Sequence, residues 1–306
     1  MDILKLISDI EKVDPEVYER LDSRRKVFKH MTGMGKTVAT AAVPGFLAAV
    51  FNKAYGQTST LPQGIQDILN FALKLEYLEY YFYNKGLNTN GLIPAGAGLT
   101  ALTTIREDEN KHVAFLKAAL GIPAATVVVP ESRFDFTGSK GGTRAALFGD
   151  VFSNYQTFLA VAQSFEDTGV RAYKGGAAGL MANDTILQAA LNIHSVEARH
   201  ASHLRTMRRG GPTVAGAGTG ASPKSWITGV EGGGAGGAIT APIYGAGATG
   251  FPAEDNVTQG GINLQTSTNT AFAGFPASAF SEAFDEPLDA TTVTNIVLNF
   301  VVGNTF

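Results

Sequence analysis

The sequence contains no cysteine in its 306 residues. This absence excludes disulfides, zinc–thiolate sites, iron–sulfur clusters and rubredoxin-type centres, so any bound metal must be held by histidine and carboxylate side chains. Charge of either sign is nearly balanced, because 24 basic and 27 acidic residues give a formal net charge of −3. That balance gives no reason to expect a nucleic-acid partner. The weakly polar run at residues 38–50 is interrupted by Pro44 and is too short for a stable membrane span.

Histidine is scarce, and its placement is informative. Four of the five histidines lie in two candidate helices: His112, His194, His200 and His203. Glycine shows the opposite trend, since many of the 36 glycines follow Arg209. Composition therefore divides the chain into an N-terminal segment (1–56), a helical domain (57–209) and a Gly-rich tail (210–306). We expect the tail to be largely irregular, with a short helix within 281–300, and to pack on the helical domain through its aromatic residues; a disordered linker is the alternative.

The N-terminal segment carries the pair Arg24-Arg25 ahead of the Ala-rich run, and small residues follow at Ala54 and Gly56. This order resembles a twin-arginine export signal and predicts a periplasmic or exported protein. A long charged stretch before the arginine pair departs from that pattern. The alternative is an ordinary helical hairpin with a basic turn, in a cytoplasmic protein.

Apolar residues recur at helical spacing in four segments of the domain at 57–209. The first predicted helix starts near Ser59 or Thr60 and ends at Gly86, and the second runs from about Leu99 to Leu120. The third lies between Gly142 and Tyr173, and the fourth runs from Asn183-Asp184 to Met207. The long connection from Gly121 to Gly142 suits a crossover between two helix pairs. The predicted fold is therefore all-α, a four-helix bundle with a long crossover.

One signature occurs twice on these helices. Each copy reads Glu, then Tyr seven residues later, then Glu-x-x-His. The first copy is Glu76, Tyr83, Glu109 and His112, and the second is Glu166, Tyr173, Glu197 and His200. The single Glu and the paired Glu are 33 residues apart in the first copy (76 to 109) and 31 apart in the second (166 to 197).

The chemistry of the signature follows from helix geometry. A Glu and a His three residues later project from the same helix face, one turn apart. Four carboxylates and two imidazoles on four helices are the ligands that a dinuclear iron or manganese site requires, with each metal held by one His, one terminal Glu and two bridging Glu. A single Glu-x-x-His is a weak signal, but both copies lie on apolar stripes, where an unpartnered carboxylate is costly. An internal salt-bridge network without metal is the alternative.

Further residues are candidates for a supporting layer around the ligands. Glu79 competes with Glu76, but its counterpart in the second copy is Gly169, which has no side chain to bind metal. We therefore choose Glu76 and assign Glu79 to the second layer or the surface. His194 is assigned to the second layer or the core. Tyr83 and Tyr173 are expected to donate hydrogen bonds near the site or to buffer oxidising equivalents, unless they are simply aromatic core.

These stretches resemble the ferritin-like superfamily, and especially the bacterial and plant desiccation-related ferritin-like domain proteins. The resemblance lies in residues 75–83, 107–112, 164–169, 195–201 and 284–288. It implies a bundle with a dinuclear carboxylate site that holds two iron ions or, alternatively, two manganese ions. It does not select one activity, because the superfamily includes iron stores, oxidases, peroxidases and manganese catalases.

The leading hypothesis is an oxidoreductase that acts on dioxygen or hydrogen peroxide in stress protection, with no catalytic side chain beyond the ligands. One alternative is an iron-binding or storage protein. Another is a non-catalytic structural or stress protein whose metal stabilises the fold. The sequence is compatible with a homo-oligomer.

Overall fold

The computed structural model describes residues 61–230, 237–268, 272–303 and 305–306. The predicted export signal therefore lies outside the described residues. Four long helices dominate what is described: α1 (Gln63–Asn88), α2 (Ala97–Ala119), α3 (Tyr155–Ala177) and α4 (Asp184–Arg208). They confirm the all-α, four-helix prediction. No helix in the described ranges is both long enough and apolar enough to cross a bilayer.

The four helices pack as two hairpins. Helix α1 packs along α2 and α3 packs along α4, while contacts of α1 with α3 and of α2 with α4 close the bundle. The crossover between the hairpins runs from residue 120 to residue 154 and contains one short 3-10 turn, Glu131–Arg133. The predicted long crossover is therefore present, and it is longer than expected because α3 begins only at Tyr155.

Local side-chain bonds explain where α3 and α4 begin. The Asn154 side chain accepts hydrogen bonds from the backbone N–H groups of Gln156 and Thr157. Asn183 accepts one from the backbone N–H of Ile186. These bonds satisfy donors that the first turn of a helix leaves free. The predicted start of α4 at Asn183-Asp184 is confirmed, whereas the start of α3 was predicted only as lying after Gly142.

An aromatic cluster joins α1 to α3. The rings of Phe82 and Phe158 stack with centroids 4.7 Å apart, and Phe165 meets Phe82 edge-on at 5.0 Å. A Cβ atom at Gly86 would collide with the ring of Phe158. Gly86 therefore permits this close approach, and it does not end the helix as predicted, since α1 continues to Asn88.

The Gly-rich tail is irregular but contains short elements. These are α5 (Gly237–Tyr244), α6 (Ala277–Ser281), α7 (Ala290–Val297) and an antiparallel pair of strands, β1 (Thr258–Gln259) and β2 (Ile262–Asn263). Helix α7 lies within the predicted range. Aromatic packing explains only part of the attachment: Tyr244 is buried, but Trp226 and Phe275 are more than half exposed.

A buried arginine makes a second set of contacts with the tail. Arg171 on α3 is inaccessible to solvent, and its Nε lies 2.9 Å from Glu254 Oε1 of the tail. Its guanidinium also donates hydrogen bonds to five tail carbonyls, those of Ile243, Gly245, Pro252, Glu286 and Pro287. In return, the backbone N–H of Leu288 donates to the carbonyl of Arg171. Polar contacts at this side chain therefore act together with aromatic packing, such as that of Phe300 on Phe165, to hold the tail to the bundle.

Candidate metal centre

The structure brings all six predicted ligands together in the middle of the bundle. Glu76 lies on α1, Glu166 on α3, and the two Glu-x-x-His pairs lie on α2 and α4. The four carboxylates are fully buried and the two imidazoles are less than a tenth exposed. The side chains form two overlapping groups whose ligand atoms lie within 4.8 Å of one another: Glu76, Glu109, His112 and Glu197 form one, and Glu109, Glu166, Glu197 and His200 form the other. Glu109 and Glu197 belong to both groups, as bridging ligands would.

Three carboxylates converge on one nitrogen in the first group. His112 Nδ1 lies 3.1 Å from Glu76 Oε2, 2.9 Å from Glu109 Oε2 and 3.1 Å from Glu197 Oε1. A single ring nitrogen donates at most one hydrogen bond, so hydrogen bonding does not account for three oxygens around it. Two ligand atoms about 2.1 Å from a shared cation and at right angles to each other lie about 3 Å apart. The first group therefore has the spacing of a coordination sphere.

The second group repeats this arrangement. His200 Nδ1 lies 2.9 Å from Glu109 Oε1 and 3.2 Å from Glu166 Oε2. The other ring nitrogen, Nε2, faces Asp108 Oδ2 at 3.5 Å. A carboxylate behind a metal-binding histidine is a common arrangement, because it fixes the orientation of the ring. The sequence prediction missed Asp108, and comparing the two copies gave no signal for it because its counterpart is Val196.

Several buried oxygens in the site have no hydrogen-bond partner. They are Glu109 Oε1 and both carboxylate oxygens of Glu197; Glu109 Oε1 and Glu197 Oε1 lie near a ring nitrogen, of His200 and His112 respectively, but without the geometry of a hydrogen bond. Buried polar atoms are nearly always hydrogen-bonded, so each exception requires an explanation. All three belong to the two carboxylates that the groups share. A pair of cations between the groups would satisfy them.

Each tyrosine of the signature supports the carboxylate of the other copy. The Tyr83 hydroxyl donates a hydrogen bond to Glu166 Oε1, and the Tyr173 hydroxyl donates one to Glu76 Oε1. Burial, followed by the neighbouring carboxylates, raises the pKa of both phenols well above its usual value. Both tyrosines are therefore neutral donors, and each fixes one oxygen of Glu166 or Glu76.

Burial and mutual repulsion dominate the electrostatics of the site without a cation. Burial raises the pKa of Glu76 to about 7 and raises those of Glu166 and Glu197. Burial acts on Glu109 in the same direction, but the two imidazoles outweigh it and lower the pKa of Glu109. The carboxylates likewise overcome burial and raise the pKa of both His112 and His200. In the absence of metal, the cluster is therefore stabilised by bound protons.

Glu79 is in the interior and not at the surface. It is only 3% exposed, yet it belongs to neither ligand group. A Cβ atom at Gly169 would sit 2.9 Å from Glu197 Oε2 and 3.3 Å from Glu79 Oε1, so these two carboxylates flank the glycine. Gly169 is the counterpart of Glu79 in the second copy and has no side chain. The carboxylate of Glu79 therefore borders the space beside this glycine. Burial, then the charges of the neighbouring glutamates, raises its pKa well above the ordinary value.

The two other histidines among the described residues, His194 and His203, lie outside both ligand groups. His194 is half-buried, and its Nδ1 lies 2.9 Å from the carbonyl oxygen of Val170, to which it can donate. Burial lowers its pKa. This contact places His194 in the packing between α3 and α4. His203 is exposed.

We expect Glu79→Gln to leave the metal content unchanged while stabilising the metal-free protein at high pH. The pKa of Glu79 is higher in the folded protein than in the unfolded chain. The protonated carboxyl therefore contributes its full stability at pH values below the unfolded-state pKa, and this contribution is lost as the pH rises through the folded-state pKa. Glutamine keeps the shape without the charge. We expect a gain of about 1–3 kcal/mol in the free energy of unfolding at pH 8, where folding must keep a proton on a carboxyl that is ionised in the unfolded chain, and little gain at pH 5.

Urea denaturation at the two pH values measures this difference. Glu107→Gln is the control, because Glu107 is exposed on α2 and its removal is expected to change stability by less than about 0.5 kcal/mol. An equal effect of both substitutions at pH 8 would contradict the buried position of Glu79.

Comparison with known proteins agrees with this architecture. Residues 65–209 match the family model described as Ferritin-like domain, a range that includes both copies of the signature. These residues therefore form a ferritin-like domain. No curated protein and no solved structure matches the chain.

Proposed function

We propose that the ferritin-like domain holds two iron ions, or two manganese ions, and acts as an oxidoreductase on dioxygen or hydrogen peroxide in stress protection. The observation that supports this proposal is the pair of overlapping ligand groups that share Glu109 and Glu197. Bound metal would supply one-electron redox chemistry and open coordination positions for the oxidant. The resemblance to desiccation-related proteins supports the stress role, and the arginine pair at 24–25 supports export.

The donor set suits two divalent cations. Four ligand carboxylates balance the charge of two such ions, which leaves the imidazoles neutral and free to bind through Nδ1. Carboxylate and imidazole ligands without thiolate are typical of iron and manganese sites in helical bundles. The unpaired oxygens of Glu109 and Glu197 would then have partners.

The residues of the chain would position and protect this centre. Tyr83 and Tyr173 each hold one oxygen of a terminal Glu, so the other oxygen keeps a fixed direction. Asp108 restrains the ring of His200. The complete burial of the four carboxylates limits water at the site to what the open positions admit. The two phenols, which are next to the ligands, are also positioned to donate a proton or an electron.

Metal analysis and a peroxide assay on the same preparation test the proposal. We expect close to two iron or manganese ions per chain in protein purified without chelator, and hydrogen peroxide consumption or dioxygen reduction that is lost on chelation and restored by the metal found. Protein with less than about a tenth of an ion per chain, after growth with added iron and manganese, would refute the metal assignment.

A fold-stabilising metal site is the second candidate. The cluster of five buried glutamates, Glu79 included, favours it, because their repulsion would be relieved by cations whether or not chemistry follows. In that case metal loading would raise the melting temperature, but neither oxidant would be turned over. Storage of iron would instead give large hollow assemblies with many ions per chain, which light scattering and iron loading detect.

A further inference from the structure

A large apolar cavity adjoins the candidate metal centre on one side. It has a volume of about 480 Å³ and lies between α1, α3 and α4, beneath α7 and the adjoining tail. Cavities of about 300–1,000 Å³ bind drug-sized molecules. Its walls are mostly aliphatic and aromatic, including Phe71, Leu75, Leu116, Ile193 and Phe251. The cavity is partly open to solvent, so a ligand can enter it.

The cavity extends to the metal ligands through one side chain. Tyr173 lines it, and the hydroxyl of the same tyrosine donates to Glu76. Two further lining residues neighbour ligands along the chain: Leu75 precedes Glu76, and Leu116 follows His112 by about one helical turn. A molecule in the cavity would therefore be separated from the Glu76 carboxylate by the Tyr173 ring.

The other half of the bundle is closed at the matching place. Tyr83 is the counterpart of Tyr173, but its ring is fully buried and meets Phe82 and Phe158 edge-on. Tyr83 lines neither this cavity nor two smaller cavities among the described residues, which have volumes of about 260 and 10 Å³. The two halves of the bundle contain the same types of predicted ligand, but only the tyrosine of the second half lines the cavity. The cavity is therefore a property of one half and not of the repeated signature.

The charged residues that line the cavity disfavour an anionic ligand. The charged residues around the cavity are two acids, Asp67, which is exposed, and Asp289, which accepts hydrogen bonds from Ala248 and Thr292. Among the residues that the structure describes, no lysine, arginine or histidine lines it. An anionic head group would therefore meet negative charge with nothing to pair with, whereas an alkyl chain or ring meets matching apolar surface.

We propose that this cavity binds a neutral, predominantly apolar organic molecule, such as a medium-chain alcohol, with one end against Tyr173. Binding itself requires no metal. Binding of the molecule does not depend on the proposed function. The further idea that the metal centre acts on the bound molecule does rest on it.

Isothermal titration of the full chain with 1-decanol tests the proposal, with decanoate as the anionic probe of the same chain length. We expect saturable one-to-one binding of decanol, and binding of decanoate at least tenfold weaker. Ala172 and Ala190 line the cavity, so Ala172→Phe and Ala190→Phe should each weaken decanol binding at least tenfold by filling it.

Ala177→Phe is the matched control, because Ala177 is half-buried on the same helix as Ala172 but does not line the cavity. It should bind decanol as the unmodified protein does. Circular dichroism and melting temperature identify any variant that has not folded. If Ala172→Phe or Ala190→Phe fails to fold, decanol binding by the other of these two variants tests the proposal. No saturable binding of decanol, equal binding of decanoate, or wild-type affinity in both filling variants would overturn the proposal.

Relaxation of ¹³C-labelled decanol by bound Mn²⁺ adds a distance measurement and separates the two proposals. In manganese-loaded protein, the nuclei at one end of the chain should relax faster than those at the other. Decanol binding in a protein that takes up no metal would refute the metal centre and leave the cavity proposal standing. Failure to bind decanol in protein that holds two metals would refute the cavity alone.

Discussion

Replacing Glu109 with alanine is expected to remove both metal ions from the purified protein, whereas replacing His112 with alanine is expected to remove only one. Glu109 belongs to both ligand groups, and its two oxygens face different histidines: Oε2 lies 2.9 Å from His112 Nδ1, and Oε1 lies 2.9 Å from His200 Nδ1. His112 belongs to one group, so its loss leaves Glu109, Glu166, Glu197 and His200 in place. The stoichiometry should therefore fall from two ions per chain to near zero in the first variant and to about one in the second.

Elemental analysis after gel filtration measures these ratios, and circular dichroism confirms that each variant is folded. Glu107→Ala is the control, since Glu107 lies on α2 two residues before Glu109 but is exposed and pairs with Arg106. It should keep two ions. If Glu109→Ala also keeps two ions, Glu109 does not bridge, and the interpretation of the two groups as one dinuclear site fails.

The clustering of the six predicted side chains could be predicted from sequence because it depends on short-range geometry. A Glu and a His three residues apart share a helix face whatever the rest of the fold does. The near-equal spacing of the two copies then related Glu76 to Glu166 without any knowledge of how the helices pack. The structure brings these residues together as expected, and the four-helix fold follows from the same periodicity of apolar residues.

Other features of the site depend on contacts between helices, which sequence spacing does not determine. The hydrogen bonds from Tyr83 to Glu166 and from Tyr173 to Glu76 exchange partners between the two copies, and they require α1 and α3 to pack closely. Asp108 could not be predicted because it faces a histidine on α4 and has no counterpart in the second copy. The burial of Glu79 depends on the space beside Gly169.

The attachment of the tail was missed for a different reason. Arg171 binds carbonyl groups, and every residue has a carbonyl, so its partners have no sequence signature. Aromatic residues in the tail were the visible signal, but only some of them are buried. A Gly-rich segment with little regular structure therefore packs on the bundle in part because one guanidinium offers five donors to its backbone carbonyls.

Replacing Arg171 with methionine should lower the free energy of unfolding by about 3–5 kcal/mol, the usual result of removing one partner of a buried ion pair. The substitution removes the donors for five tail carbonyls and leaves Glu254 buried without its counter-charge. Arg171→Lys should recover only part of the loss, because an ammonium group has three donors and cannot reproduce the planar guanidinium. Arg199→Met, at an exposed position, should change stability by less than about 0.5 kcal/mol.

Urea denaturation of Arg171→Met, Glu254→Gln and the double variant separates the ion pair from the carbonyl contacts. The double variant should lose less than the sum of the single variants, because neutralising Glu254 removes the unpaired charge. The tail also forms part of the apolar cavity, through Phe251 and Leu288, next to the Pro252 and Pro287 carbonyls that Arg171 binds. Under conditions where the variant is folded, Arg171→Met should therefore bind decanol more weakly yet keep two metal ions, because all six ligands lie on α1 to α4. Loss of metal together with decanol binding would show instead that the tail supports the metal centre itself.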